Sequence, residues 1–200
     1  ITFRLFYSNG TVVNSSTFSD ARRSINYTSL IDATYSFNVS VSDTAGNTNT
    51  TSSRFVTVDS TKPLINFGVL TPLANSNQTT SSIFINVSVI EINENALTFR
   101  LFYSNGTLLN SSLFTNKRRT INFTGIADNT YLFNVTVNDS AKNTNTTVTR
   151  AVTIDTTTPL IDYGVLTSST NTSQSNRNIF INVSVTEINE QSITFRLYYS

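Results

Sequence analysis

The chain has 200 residues with 13 basic and 12 acidic side chains, a formal charge of +1, and no Cys, His, Met or Trp. So small a net charge offers no field to collect nucleic acid or an anionic membrane surface, and the missing cysteines exclude disulfides and thiolate metal sites. Asn, Ser and Thr make up about two-fifths of the sequence, far above ordinary globular usage, which points to an extracellular, all-β protein.

Taken in chain order, the first segment, Ile1-Thr2-Phe3-Arg4-Leu5-Phe6-Tyr7-Ser8-Asn9-Gly10-Thr11, is also the start of a repeat. It returns at Leu97 to Thr107 and begins again at Ile193; Phe3 recurs as Phe99 and Phe195, a shift of 96 at each step. Asp43, Arg54, Asp59, Pro63, Phe84 and Glu91 map by the same shift onto Asp139, Arg150, Asp155, Pro159, Phe180 and Glu187. A period of this length is too long for helical or leucine-rich solenoids and matches one complete sandwich domain. The expected organisation is residues 1–59 as the C-terminal part of a repeat, 60–155 as a complete repeat and 156–200 as the N-terminal part of another. No signal peptide and no apolar run of about 18 residues lies in this stretch, so any export signal or anchor is expected outside it.

Within 60–155 the strands follow one another from a short run at Leu64 to Phe67. Ile83, Ile85, Val87 and Val89 alternate with Phe84, Asn86 and Ser88, and Leu97, Phe99, Leu101 and Tyr103 alternate with Thr98, Arg100 and Phe102. That period of two is the pattern of half-buried strands. Further runs fall at Thr107 to Leu109, Thr120 to Phe123, Tyr131 to Val137 and Val148 to Ile154. About seven antiparallel strands per repeat predict an all-β, immunoglobulin-like sandwich. Tyr131 opens the sixth strand three residues after Asp128, as Tyr35 follows Asp32, an arrangement like the tyrosine corner of sandwich folds.

The string Tyr-x-Phe-Asn-Val-x-Val-x-Asp-x-Ala-x-Asn-Thr runs from Tyr35 to Thr48 and from Tyr131 to Thr144. Arg-x-Val-Thr-Val/Ile-Asp-x-Thr-x-Pro follows at Arg54 to Pro63 and at Arg150 to Pro159. Together they resemble the tandem Ig-like repeats of archaeal and bacterial surface proteins. The resemblance spans the chain and implies an extracellular stalk, adhesin, sheath or filament with no shared catalytic residues. Lys142 stands where the first copy has Gly46, which argues against any need for glycine's backbone freedom at that turn.

N-x-S/T sequons occur at Asn9, Asn14, Asn26, Asn38, Asn49, Asn77, Asn86, Asn105, Asn110, Asn122, Asn134, Asn138, Asn145, Asn171 and Asn182. Asn86, Asn122 and Asn134 fall on the polar phase of their strands, where a sugar would project into solvent. A heavily N-glycosylated surface is expected, its covalent glycans supplying solubility in a chain with only 12% charged residues and keeping adjacent, near-identical β-domains apart.

No cofactor is expected. The alternative is calcium at the repeat junctions, drawn from Asp59, Asp155, Asp43, Asp139, Glu91 and Glu94, although no EF-hand string is present and turn capping explains the same residues. Catalysis is not expected, since His and Cys are absent and Glu91 and Glu94, three apart on an extended segment, point to opposite faces. Lys62, Lys117 and Lys142 do not recur between copies, which disfavours Lys–Asn crosslinks. The pairs Arg22-Arg23 and Arg118-Arg119, with Arg4, Arg100 and Arg196, do recur. They read as solvated arginines balancing local acids, the alternative being contacts to a neighbouring chain's carboxylates or glycans. Phe6, Phe84 and Phe102 sit on the outward phase and are candidates to cover a face against another domain or a sugar.

Two functions remain: a structural polymer such as a filament, sheath or stalk, or an adhesin or spacer array that binds surface glycans or protein. Nearly identical loops in both copies favour the polymer, with neighbouring copies of itself as partner.

Overall fold

The computed structural model describes residues 1–198; the last two residues of the third segment lie outside it. Among the described residues the ordered elements are strands, and no helix is long and apolar enough to cross a membrane.

The first segment supplies β1 (Thr2–Tyr7), β2 (Val12–Thr17), β3 (Ala33–Ser42), β4 (Thr48–Thr50) and β5 (Arg54–Val58), joined in one sheet around β3. The complete repeat contains β6 (Leu64–Phe67), β7 (Ser76–Gln78), β8 (Ser82–Ile90), β9 (Glu94–Tyr103), β10 (Leu108–Phe114), β11 (Thr120–Thr124), β12 (Asn129–Asp139), β13 (Thr144–Thr146) and β14 (Arg150–Ile154). The third segment forms the antiparallel pair β15 (Leu160–Tyr163) and β16 (Val183–Thr186).

In the complete repeat a sheet ordered β11-β8-β6 faces one ordered β10-β9-β12-β14-β7, with β13 on β12. Alternation puts one side of each strand into the space between them: Ile65, Ile83, Ile85, Val87, Ile121 and Phe123 from the smaller sheet meet Leu97, Phe99, Leu101, Phe133, Val135, Val137, Val152 and Ile154 from the larger. Each such side chain, fully buried, contributes roughly 1.5–3 kcal/mol relative to exposure. Without disulfides this core is what holds the domain together.

Two three-residue strands, β7 and β13, escape the alternation because too few residues carry it. The pairing of β7 with β14 is parallel, so the sandwich is not wholly antiparallel as the sequence suggests. The chain leaves β6 in one sheet and crosses to the edge of the other through residues 68–75. The last strand begins at Arg150, not Val148, whose side chain is exposed.

The tyrosine corners form as expected. Tyr131 donates its hydroxyl to the Ala127 carbonyl at 2.9 Å, and Tyr35 donates to Ile31 at 2.8 Å. Burial of the two rings raises the pKa of both hydroxyls.

The turn after β12 corrects one expectation. Gly46 has φ of +89° and Lys142 has +78°, so both copies need the left-handed region and the second fills it with lysine. A side chain there costs roughly 1–2 kcal/mol. Lys142→Gly should therefore stabilise the complete repeat by about 1 kcal/mol in urea unfolding; a loss of stability would show that the lysine side chain holds something the turn needs.

Candidate functional site at the repeat junction

Residues 59–63 connect one repeat to the next and are held from both sides. From the preceding repeat, Asp32 accepts hydrogen bonds from the Ser60 backbone (3.0 Å), the Ser60 hydroxyl (2.8 Å) and the Thr61 hydroxyl (2.6 Å). The second junction repeats this, with Asp128 accepting from the Thr156 backbone (3.0 Å) and hydroxyl (2.8 Å) and from the Thr157 hydroxyl (3.0 Å). From the following repeat, Asn93 Nδ2 donates to the Asp59 carboxylate at 3.0 Å and Asn189 Nδ2 to Asp155 at 2.8 Å. Asn143 Nδ2 donates to the Asp59 carbonyl at 2.9 Å, and Asn145 Nδ2 to the Pro63 carbonyl at 2.9 Å. A short connector gripped at both ends resists bending more than a free linker of that length.

The clamp has a pH signature. The Thr156 hydroxyl, followed by the Thr156 backbone N–H, lowers the pKa of Asp128, as the Thr61 hydroxyl does first for Asp32. A carboxylate depressed in the folded state contributes stability above its unfolded value, 3.8, and loses it as pH falls through the folded value. An NMR titration of Asp128 should give a midpoint below 3.8, with the Thr156 and Thr157 amides moving together. A midpoint at or above 3.8 would mean that the clamp is not made in solution.

Three carboxylates converge at the same junction. Oxygens of Asp59, Glu91 and Asp139 all lie within 4.8 Å of one another, Asp139 fully buried and the other two half-buried. Asn143 donates its backbone N–H (2.9 Å) and Nδ2 (2.8 Å) to Asp139, and the Asn93 backbone N–H donates to Glu91 at 2.7 Å. The ion pairs among the described residues are Arg22–Asp20 and Arg119–Glu94, so neutral amides line this cluster. Three carboxylate oxygens supply part of the six to eight that calcium takes. Of the acids singled out in the sequence, Asp59, Glu91 and Asp139 are brought together. Asp155 and Glu187 recur at the second junction, Asp43 folds over its own turn onto Asn47, and Glu94 turns away to Arg119. Asn93, Asn143 and the hydroxyls after Asp59 and Asp155 were not singled out, although Asn93 and Asn143 recur with the period as Asn189 and Asn47.

Of the recurring arginines, Arg4, Arg100 and Arg119 are half-buried, while Arg22, Arg23, Arg118 and Arg196 are exposed. Arg119 makes a two-pronged pair with Glu94, Arg100 donates to the Thr136 hydroxyl at 2.7 Å, and Arg118 lies over the Phe114 ring at 4.7 Å. Phe6, Phe84 and Phe102 are half-buried.

The sequons fall into two groups. Asn9, Asn14, Asn26, Asn49, Asn77, Asn105, Asn110, Asn122 and Asn171 are exposed; Asn38, Asn86, Asn134, Asn138, Asn145 and Asn182 are half-buried. Several of the second group use Nδ2 internally: Asn86 donates to the Val69 carbonyl (3.2 Å), Asn182 to Val165 (3.3 Å) and Asn134 to the Thr149 hydroxyl (3.1 Å). Asn86 also lies against Gly68, where an added Cβ would meet its Nδ2 at 2.8 Å.

Residues 2–60 match the family described as bacterial Ig-like domain. No curated protein matches the chain. Among solved structures, fibronectin(III)-like modules of CbhA from Clostridium thermocellum are 11% identical, with 76% of each chain covered and a TM-score of 0.39. An engineered protein is 16% identical over 47% of this chain at a TM-score of 0.37, and the alignment spans a fifth of its length. Latent PorU from Porphyromonas gingivalis is 13% identical, with 62% of this chain and 12% of that one covered and a TM-score of 0.34. The family match covers residues 2–60, and residues 60–155 fold as an all-β sandwich consistent with an immunoglobulin-like domain.

Proposed function

We propose that the chain is a structural repeat of a heavily N-glycosylated extracellular filament, sheath or surface stalk, not an enzyme. The observation that carries this reading is the repeated junction: Asp32 and Asp128 hold the following connector through the same pair of hydroxyl positions. Successive repeats joined in one way build a stiff, regular array, which suits a polymer or stalk more than a display of varied binding loops.

Glycans take a specific place in this reading. β10 and β11 are each one edge of the two sheets, and each carries an exposed sequon, Asn110 on one and Asn122 on the other. Sugar there hinders edge-to-edge pairing between neighbouring domains. Glycopeptide mapping of native material should find the highest occupancy at Asn9, Asn14, Asn105, Asn110 and Asn122, and low occupancy at Asn86, Asn134 and Asn182. Unmodified asparagines throughout would remove the glycan coat and leave an adhesin or spacer array as the better account.

Calcium is a second reading for the junction, favoured by the convergence of Asp59, Glu91 and Asp139. If the cluster binds calcium, a concentration about 100 times Kd stabilises the repeat by about 2.7 kcal/mol. Thermal unfolding in calcium against EDTA should then show a higher Tm, abolished by Asp139→Asn; equal Tm values would leave the acids as turn caps.

A further inference from the structure

We propose that Asn145 is a bolt of the repeat junction that a sugar undoes: unmodified, its amide ties the connector to the following repeat, and glycosylated, it releases the connector, so occupancy of this one sequon sets the stiffness of the array. This rests on the reading of the chain as a glycosylated structural array and adds a regulation to its junction. In sequence, Asn145-Thr146-Thr147 is a sequon like the others. Its surroundings set it apart. Asn38, Asn86, Asn134 and Asn182 turn their Nδ2 atoms to partners 15 or 17 residues away. Asn145 reaches 82 residues back, donating Nδ2 to the Pro63 carbonyl of the connector at 2.9 Å. Pro63 directly precedes β6, and the preceding repeat holds the same connector at Ser60 and Thr61 through Asp32. Bolt and clamp thus act on opposite ends of the segment from Ser60 to Pro63, and slack at either end makes a hinge.

The folded repeat withholds the whole sequon from modification. Asn145 is half-buried, and its Oδ1 accepts the Thr146 N–H at 2.8 Å. Thr147 supplies the hydroxyl that completes the acceptor motif, yet it is 7% exposed. That hydroxyl accepts the Val135 N–H at 3.1 Å, while the Thr147 N–H donates to the Val135 carbonyl at 2.9 Å. By contrast, Asn105 with Thr107 and Asn122 with Thr124 are exposed at both positions. Transfer to those two stays open on the folded chain, whereas Asn145 takes sugar only before the connector closes on β13. Folding and transfer compete for one amide.

In the transfer, Asn145 Nδ2 attacks the anomeric carbon of a phosphate-linked sugar donor. The N–C bond forms, the C–O bond to the phosphate breaks with its electron pair going to the phosphate, and Nδ2 gives up one of its two protons. The bulky ring then sits one bond from an atom that had been in contact with the connector. Making room for it moves the connector off β13 and strains the bond from Asn143, two residues away, to the Asp59 carbonyl (2.9 Å).

The test uses the 200-residue chain free of sugar, in which residual dipolar couplings of residues 1–59 and of 60–155 should fit one alignment tensor. Because the chain has no cysteine, Asn145→Cys takes a single thiol-reactive N-acetylglucosamine in urea before refolding. That form should lose the common tensor and Asn145→Ala should lose part of it, while Asn122→Cys carrying the same sugar keeps it. The unfolding transition of the complete repeat reports that each variant is folded. In parallel, the folded chain is offered an oligosaccharyltransferase with a lipid-linked donor, and glycopeptides should show sugar on Asn105 and Asn122 and none on Asn145. A common tensor in either Asn145 variant, separate tensors in the unmodified wild type, or ready transfer to Asn145 on the folded chain would overturn the proposal. Sugar-free Asn105 and Asn122 in native material would instead count against the surface coat, a result on which the tensor measurement does not depend.

Discussion

Phe133→Ala is expected to destabilise the complete repeat by about 3–5 kcal/mol, the cost of removing a large buried aromatic side chain and leaving a cavity behind. Phe133 is fully buried on β12 between the two sheets and meets Phe67 edge to face, with ring centroids 5.4 Å apart. Domains of this size are stable by only about 5–15 kcal/mol, so the variant should be close to unfolding at room temperature. Urea unfolding of the variant checks the argument; a loss below about 1 kcal/mol would mean that the ring is not packed between the two sheets.

Arg119→Ala should cost about 3–5 kcal/mol, toward the lower end because the arginine side chain is 30% exposed. Its partner Glu94 is 1% exposed, so removing the guanidinium strands a carboxylate out of water. That stranded charge, more than the lost attraction, sets the size of the effect. The double variant Arg119→Met with Glu94→Leu therefore recovers most of the stability, since neither charge then has to be desolvated. If the single and double variants lose the same amount, the pair contributes through packing of the arginine stem instead.

How much of this was legible in the sequence depends on the distance between the residues involved. The period of 96 and the alternation of Ile83 to Val89 and Leu97 to Tyr103 are local patterns, and they placed the principal strands and the core. Tyr131 and Ala127 are four residues apart, so the corner was readable too. Asp59 and Glu91 lie in two separate loops and Asp139 at the end of β12, and only the folding of the sandwich brings them together. The same holds for Glu94 and Arg119: a charge between two strands reads as solvated until the sheets that bury it are in place. Strand phase puts Asn86 and Asn134 on the outward side, where the structure has them between buried neighbours, but it does not show what their amides hold. Their amides are taken up by the Val69 carbonyl and the Thr149 hydroxyl of the crossing segments, contacts that no period of two encodes. Lys142 misled for a related reason, because residue type reports a preference for backbone geometry and the surrounding turn imposed its own.

The central claim is that these Ig-like repeats build a regular structural array, and cryo-imaging of the native assembly tests it most directly. The account predicts a row of domain-sized beads in which each repeat is related to the next by one constant rotation and translation, set by the Asp32 and Asp128 clamps. Beads at variable angles along flexible threads, or dispersed single chains bearing a distinct terminal binding head, would contradict it.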